Sequence, residues 1–260
     1  METNPKFIMT RQFIVIFIIL GILNVCNGKL PSSVQVCSRN DPNIDQCITN
    51  SVNKLKPYLA TGDLGDGFIV PALEPFLYEG FSINPAANFL VKVNNASVIG
   101  ASNFVIEKLR FNYNKIALDM IALFPNLTML GIYDMKAKVA ILDITGRGDL
   151  KASIVNTKMK MKITGTRYDN NGQTYLKYDK VTLKFQVGKT KVYLTNLFNG
   201  EPTLQAVGNQ LVNENQDIFF EFIVPVMEKQ FAKLFKDVGD AIVEKATIDE
   251  LFPDTKVGEN

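Results

Sequence analysis

From about residue 68 to residue 197 the chain alternates apolar and polar positions with period two. Phe89, Val91 and Val93 are separated by Leu90 and Lys92, and Leu109, Phe111 and Tyr113 by Arg110 and Asn112. Ile116, Leu118 and Met120 alternate with Ala117 and Asp119, and Tyr133, Met135, Ala137, Val139 and Ile141 oppose Asp134, Lys136 and Lys138. Met159, Met161 and Ile163 oppose Lys158, Lys160 and Lys162, and Val181, Leu183, Phe185 and Val187 oppose Lys184 and Gln186. Such alternation marks antiparallel strands with one wet face and one buried face. Asp169-Asn-Asn-Gly172 has the composition of a hairpin turn. No helix-length apolar pattern interrupts the stretch, which argues against parallel βαβ units. The lysines at 158, 160 and 162 then form a solvent face, contact with an anionic membrane surface being their other reading.

The period changes on both sides of this stretch. Ile44, Cys47, Ile48, Ser51, Val52, Leu55 and Leu59 fall on one face of a short helix. Asp41 is placed to cap it and Pro42 to occupy its first position, with Pro57 and Gly62 ending it. Gly62-Asp-Leu-Gly-Asp-Gly67 follows as a flexible connection. It lacks the Lys-Ser/Thr and the strand-to-helix frame of a phosphate-binding loop. A long helix is expected over about 213–245, roughly 50 Å at 1.5 Å per residue. Apolar residues from Ile218 to Ile242 cover well over half its girth, and Glu221, Lys229, Lys233, Lys236, Asp240 and Glu244 leave only a thin polar stripe. Pro225 inside it is expected to kink it. A helix this apolar has to be sheathed, because a surface helix shows a narrower face. The available sheath is the long sheet. The expected fold is therefore α+β, a highly curved antiparallel β-sheet wrapped as a super-roll around a long C-terminal helix, with a short N-terminal helix.

Composition narrows the chemistry. The chain has 260 residues, no histidine, no tryptophan and a net charge of +2. Without histidine, Ser-His-Asp and Cys-His catalysis and imidazole zinc sites are excluded. A near-neutral balance gives no electrostatic footprint for nucleic acid. Lys6 and Arg11 precede an apolar run over residues 13–23, followed by small residues at Cys26 and Gly28. That run is about half of a bilayer-spanning helix, which needs roughly 20 residues, so 1–28 reads as a cleaved signal peptide, an anchored helix being the other reading. Residues 29–260 then form a single extracellular domain. Cys37 and Cys47 remain as an even pair in an oxidising compartment, and a disulfide closing so short a loop contributes about 2–3 kcal/mol. Asn95-Ala-Ser97 and Asn126-Leu-Thr128 fit the N-glycosylation sequon.

The inward set is rich in Phe and Met, which adapt to irregular volumes. If sheet and helix leave a gap, the result is a long apolar tunnel, a form suited to a lipophile. The alternative is that these residues only close-pack. Catalysis would need a carboxylate pair or a lysine nucleophile, and of the strand acids Asp119, Asp134 and Asp143, the first two alternate outward.

Six motifs occur in one order. They are Cys37 and Cys47 around Asp41-Pro-Asn43, Gly146-Arg-Gly148 between two strands, and Asn196-Leu-Phe-Asn-Gly200 at the end of the sheet; then Asn213-Glu-Asn215 opening the long helix, Pro225 within it, and Glu250-Leu-Phe-Pro253. With them the sequence resembles the insect takeout / juvenile hormone-binding protein family over essentially the whole mature chain. The resemblance implies a fold shared with bactericidal/permeability-increasing and lipid-transfer proteins, and a secreted carrier of small hydrophobic molecules. Gln216 stands where the family usually has tryptophan. The second cysteine pair of the moth hormone carriers is missing, which places the chain nearer the takeout branch. Juvenile hormone is then one candidate among terpenoids, fatty-acid-like lipids and other lipophiles, and endocrine, chemosensory, feeding-related and circadian roles all stay open.

The expected mechanism is reversible, noncovalent binding by a monomer, with no cofactor, no metal and no catalytic residue. The expected ligand-binding residues on the strands are Phe89, Val91, Phe111, Leu118, Tyr133, Met135, Val139, Met159, Met161 and Phe185. On the helix they are Phe219, Phe222, Ile223, Val226, Met227, Gln230 and Phe231, with Tyr133 and Gln230 as polar contacts at a tunnel end. The alternative function is an extracellular binder of membrane or microbial lipid headgroups, or a ligand acting at a receptor. Transient contact with a membrane or receptor is compatible with either.

Overall fold

The structure, a computed structural model, describes residues 30–86, 89–139 and 142–254, without the side chains of Ala86 and Val139. The expected signal segment and Ile141 lie outside the described residues. Seven strands form one antiparallel sheet: β1 (Phe76–Ala86), β2 (Phe89–Ile99), β3 (Val105–Asn112), β4 (Ala117–Val139), β5 (Leu142–Asn170), β6 (Gln173–Gln186) and β7 (Lys189–Leu194). Among the described residues four α-helices accompany it: α1 (Ile44–Thr61), α2 (Pro202–Glu214), α3 (Gln216–Val243) and α4 (Ile248–Leu251).

The spine of the sheet is β4 and β5, 23 and 29 residues long, paired from Ala117↔Thr164 to Val139↔Leu142. Shorter strands flank the spine, β3 and β2 along β4, and β6 and β7 along β5, with β1 outside β2. The Asn171-Gly172 turn joining β5 to β6 has positive φ at both residues, 52° and 78°, as the Asn-Gly pair predicts. Alternation decides the faces as expected, with Val93, Tyr133, Met159 and Leu183 buried while Lys92, Lys160, Lys162 and Lys184 are exposed.

The sheet curls around α3. Phe231 of α3 meets Phe76 and Tyr78 of β1 at 5.7 and 5.8 Å, and Phe185 of β6 at 6.0 Å. One helical side chain therefore touches strands from opposite edges of the sheet. The exposed backbone of an edge strand needs partners, and the helices supply them as side chains. Glu228 accepts from the Phe185 amide at 3.0 Å, and Asp240 from the Tyr178 amide at 2.9 Å. On β7, Asn213 accepts from Val192 N at 2.8 Å and donates to Val192 O at 2.7 Å. Asn209 treats Leu194 in the same way, at 2.8 and 2.9 Å.

Several local expectations are corrected. The helix expected over 213–245 is α3, which begins only after Asn215 (φ −119°, ψ 33°) and runs through Pro225, and a separate helix not expected from the sequence, α2, precedes it. The earlier helix, α2, starts at Pro202 after Glu201, whose carboxylate accepts from Thr203 N and Leu204 N. The N-terminal helix starts two residues later than expected, after Asn43; Asp41 accepts from Asn43 N at 2.7 Å and so bonds the turn before it. Pro57 lies inside α1, which ends at Gly62 in the left-handed conformation, φ 83°. The segment from Gly62 to Gly67 is a bonded turn, not a loose connection: Leu64 N donates to Phe68 O, Ser32 N donates to Asp66, and Leu64 is 2% exposed. Gly146-Arg-Gly148 lies within β5, not between strands. A Cβ on Gly146 would stand 2.5 Å from the Tyr133 hydroxyl, which explains the glycine. The disulfide Cys37–Cys47 is present, with Cα atoms 5.9 Å apart, and ties the N-terminal tail to α1.

Replacing Asn213 with leucine leaves both Val192 backbone groups unpaired at about 1–3 kcal/mol each before any water intrudes. Urea denaturation of Asn213→Leu should therefore show a loss of about 2–3 kcal/mol. A loss under about 0.5 kcal/mol would mean that water replaces the latch.

Candidate functional site

Sheet and α3 do not fill the space between them. A cavity of about 730 Å³ lies between them. On α3 the wall runs from Gln216 to Val238, about 33 Å along the axis. Twelve of the expected residues form part of it: Val91, Phe111, Leu118, Tyr133, Met135, Met159, Met161, Phe185, Phe219, Ile223, Met227 and Phe231. Among the described residues the wall contains no Asp, Glu, Lys or Arg.

Other expected residues fall elsewhere. Phe89, Phe222 and Val226 belong to the packed core beside the cavity, where Phe89 meets Phe219 at 5.8 Å and Phe222 at 5.0 Å. Close packing thus holds around that aromatic group, while the remaining space stays open. Gln230 is exposed and off the wall, between Lys229 and Lys233 on the polar stripe, because a 100° step turns it away from the inward Phe231. The Val139 side chain lies outside the described residues. Tyr133 does reach the wall, but its hydroxyl donates to Thr195 O at 2.6 Å and is committed to the fold.

The expectations from sequence also left out part of the wall. The tail and α1 contribute Val34, Cys37, Ile48 and Val52, so the disulfide holds a wall segment and not merely a terminus. The apolar face of α1 was readable, but its partner was not. At the same end Phe252, just after α4, stacks on Phe111 at 4.9 Å and meets Tyr113 edge-on at 5.7 Å. Arg39 donates to the Tyr113 hydroxyl at 3.1 Å and pairs with Asp249. Both ends of the described chain thus close one end of the cavity.

The acids offer no reacting pair in this space. Asp119 is exposed and bridges Lys162 at 3.1 Å, Asp143 is exposed, and the buried Glu228 is held by Lys184 and the Phe185 amide. Among the described residues, no group of three or more Cys, Asp or Glu could hold a metal ion, and no helix is long and apolar enough to cross a membrane.

The sequence pattern described as "Haemolymph juvenile hormone binding protein (JHBP)" matches residues 14–253. The chain belongs to this family. A family resemblance is also seen with a putative beta-carotene-binding protein of Schistocerca gregaria, 21% identical over 222 residues, 85% of this chain and 88% of that one. The circadian clock-controlled protein daywake of Drosophila melanogaster is 23% identical over 194 residues, 70% of this chain and 75% of that one. The crystal structure of Epiphyas postvittana Takeout 1 superposes with a TM-score of 0.72 at 22% identity, covering 84% of this chain and 99% of that one. The curved antiparallel sheet with C-terminal helices is therefore the takeout fold. It carries the hydrophobic-ligand binding that characterises the juvenile hormone binding protein family.

Two wall tyrosines of this JHBP-family chain report on its interior. Burial, and secondarily Asp134, pushes Tyr133 up to about 12; burial, and secondarily Asp240, does the same to Tyr178. The unfolded chain releases these protons near pH 10. A raised phenol therefore leaves stability intact below about pH 10 and erodes it as pH rises toward about 12. Alkaline titration followed by phenolate absorbance should find Tyr133 and Tyr178 ionising only near pH 12 or on unfolding. Single Tyr→Phe variants at 133 and 178 should each remove one of them; normal titration of both phenols would mean that the interior admits bulk water.

Proposed function

We propose that this chain is a secreted carrier that reversibly binds one small hydrophobic ligand in the cavity along α3. The observation that carries the proposal is a space of about 730 Å³ between sheet and α3 whose wall holds no charged side chain among the described residues. Ligand pockets commonly measure about 300–1,000 Å³ and are lined mainly by apolar side chains. A ligand burying ~400 Å² of apolar surface gains roughly 10 kcal/mol gross, enough for micromolar to nanomolar affinity after association costs. Candidate cargoes are a juvenile hormone-like terpenoid, a carotenoid or a fatty-acid-like lipid. The family description and the beta-carotene name of one relative support that range.

In this reading residues 1–28 are removed as a signal peptide and 29–260 act as a single-domain monomer outside the cell. Asn95 and Asn126 are both exposed, which supports their use as glycosylation sites.

Organic extraction of the purified secreted protein should release a stoichiometric lipophile, and a neutral fluorescent probe should bind the emptied protein. Binding should persist at about 1 M salt, because burial is not screened as attraction to a charged headgroup is. Ile223→Trp, which puts an indole into the open space, should weaken probe binding at least tenfold while changing stability by about 1–3 kcal/mol or less. No extractable lipid together with no probe binding would sink the carrier reading; loss of lipid binding in salt would favour headgroup recognition.

A further inference from the structure

Among the described residues the wall contains seven polar side chains, and six of them are already engaged. Gln35 accepts from Lys54 at 2.6 Å, Ser51 donates to Gln35 O at 2.7 Å, and Tyr133 donates to Thr195 O at 2.6 Å. Thr157 accepts from Gly188 N at 3.3 Å, Thr190 donates to Gly188 O at 3.2 Å, and Gln216 donates to Thr190 O at 2.8 Å. The seventh is Tyr178. Its amide bonds Asp240, but its hydroxyl has no hydrogen-bond partner among the described residues. Its ring is deep in the protein, between the core groups around Leu183 and Leu176, yet part of its surface faces the cavity. Tyr78, by contrast, has a hydroxyl packed shut beside Phe231 and is not a wall residue.

The placement of Tyr178 is built by its surroundings. Tyr178 pairs with Gly165 while Lys180 pairs with Thr164, so Asp179 is an extra residue on β6. The bulge moves the inward face from even positions (Leu176, Tyr178) to odd ones (Val181, Leu183). The ring then lies against Gly239 of α3, where a Cβ would come within 2.3 Å of it. Gly239 directly follows Val238, the last wall residue of α3, so the phenol stands at the end of the cavity closed by Phe252.

We propose that the Tyr178 hydroxyl is the polar anchor of the site, donating a hydrogen bond to an uncharged oxygen acceptor at one end of an otherwise apolar ligand. The inference rests on the carrier reading and adds a ligand class and an orientation to it. The acceptor, a carbonyl, ester or ether oxygen, lies against Tyr178, and the hydrocarbon runs along α3 toward Phe219, about 30 Å away. A carboxylate is disfavoured. Among the described residues the wall offers it no cation, and Lys236, the partner of the Asp240 that bonds the Tyr178 amide, is already engaged. The phenol itself stays protonated at neutral pH, its ionisation opposed by burial and by the Asp240 carboxylate.

Tyr178→Phe removes one oxygen and no packing, so the variant should melt no lower than the parent. Displacement of the neutral probe N-phenyl-1-naphthylamine would be measured with methyl myristate, ionised myristic acid and a hydrocarbon of equal length, on parent and variant. The parent should prefer the ester to the acid. The variant should lose about five- to tenfold in affinity for the ester, the worth of one neutral hydrogen bond, and keep its affinity for the hydrocarbon within about twofold. Unchanged ester binding in Tyr178→Phe, or an acid that competes as well as the ester, overturns the anchor while leaving the carrier reading intact. A parent protein that binds none of the three and no probe overturns both.

Discussion

The structure depends on the apolar girth of α3. A helix with so thin a polar stripe cannot rest on a surface, and the chain's answer is to bring both edges of one sheet onto it. Phe231 marks the closure, touching β1 on one side and β6 on the other. Closure in turn leaves the edges of β6 and β7 facing helices instead of strands. Backbone groups there would be costly if left dry and unpaired. Glu228, Asp240, Asn209 and Asn213 bond those amides, and the two asparagines bond the carbonyls as well. The hydrophobic demand of one helix thus fixes where polar side chains must stand on two.

The same geometry leaves the cavity. The edge strands β1 and β6 meet α3 through Phe231, while residues of the central strands β4 and β5 line the cavity. The central-strand lining includes Ala122 and Ala152, whose side chains are short, and Met159 and Met161, flexible enough to adapt to whatever enters. Where large rings do converge, as with Phe89, Phe219 and Phe222, the interior is packed. The open space therefore follows from side-chain size as well as from the backbone. Tightly packed interiors leave few voids larger than water, and one of this size marks a place where stability was not maximised.

Period was enough to read the strands, their faces and the need for a sheath, and twelve expected wall residues do line the cavity. What period could not supply was everything that depends on two distant segments meeting. Gln230 was misplaced because a helix apolar over most of its girth does not identify which flank faces solvent. Asn209 escaped notice because its partner, Leu194, is backbone and leaves no side-chain signature. The bulge at Asp179 was visible only as a change from even to odd apolar positions, and reading the alternation from Val181 onward passed over Tyr178. Of the two helices that meet at Asn215 only the second was expected, with its start placed at Asn213.

A charge-free wall also limits how cargo is chosen. Apolar contact discriminates by length and volume, at about 0.8 kcal/mol for each methylene buried, and does not strongly reject a molecule of similar shape. Wall residues can be exchanged among Leu, Met, Phe and Val while the roll, the latches and the disulfide remain, because volume-conserving substitutions are tolerated best. Chains only 22% identical can therefore keep one architecture, as this chain and Epiphyas postvittana Takeout 1 do. Finer selection has to come from the few polar groups that reach the interior. Among the described residues six of the seven polar wall side chains are spent on holding the wall together, and under the proposed anchor any discrimination beyond size falls to the Tyr178 hydroxyl.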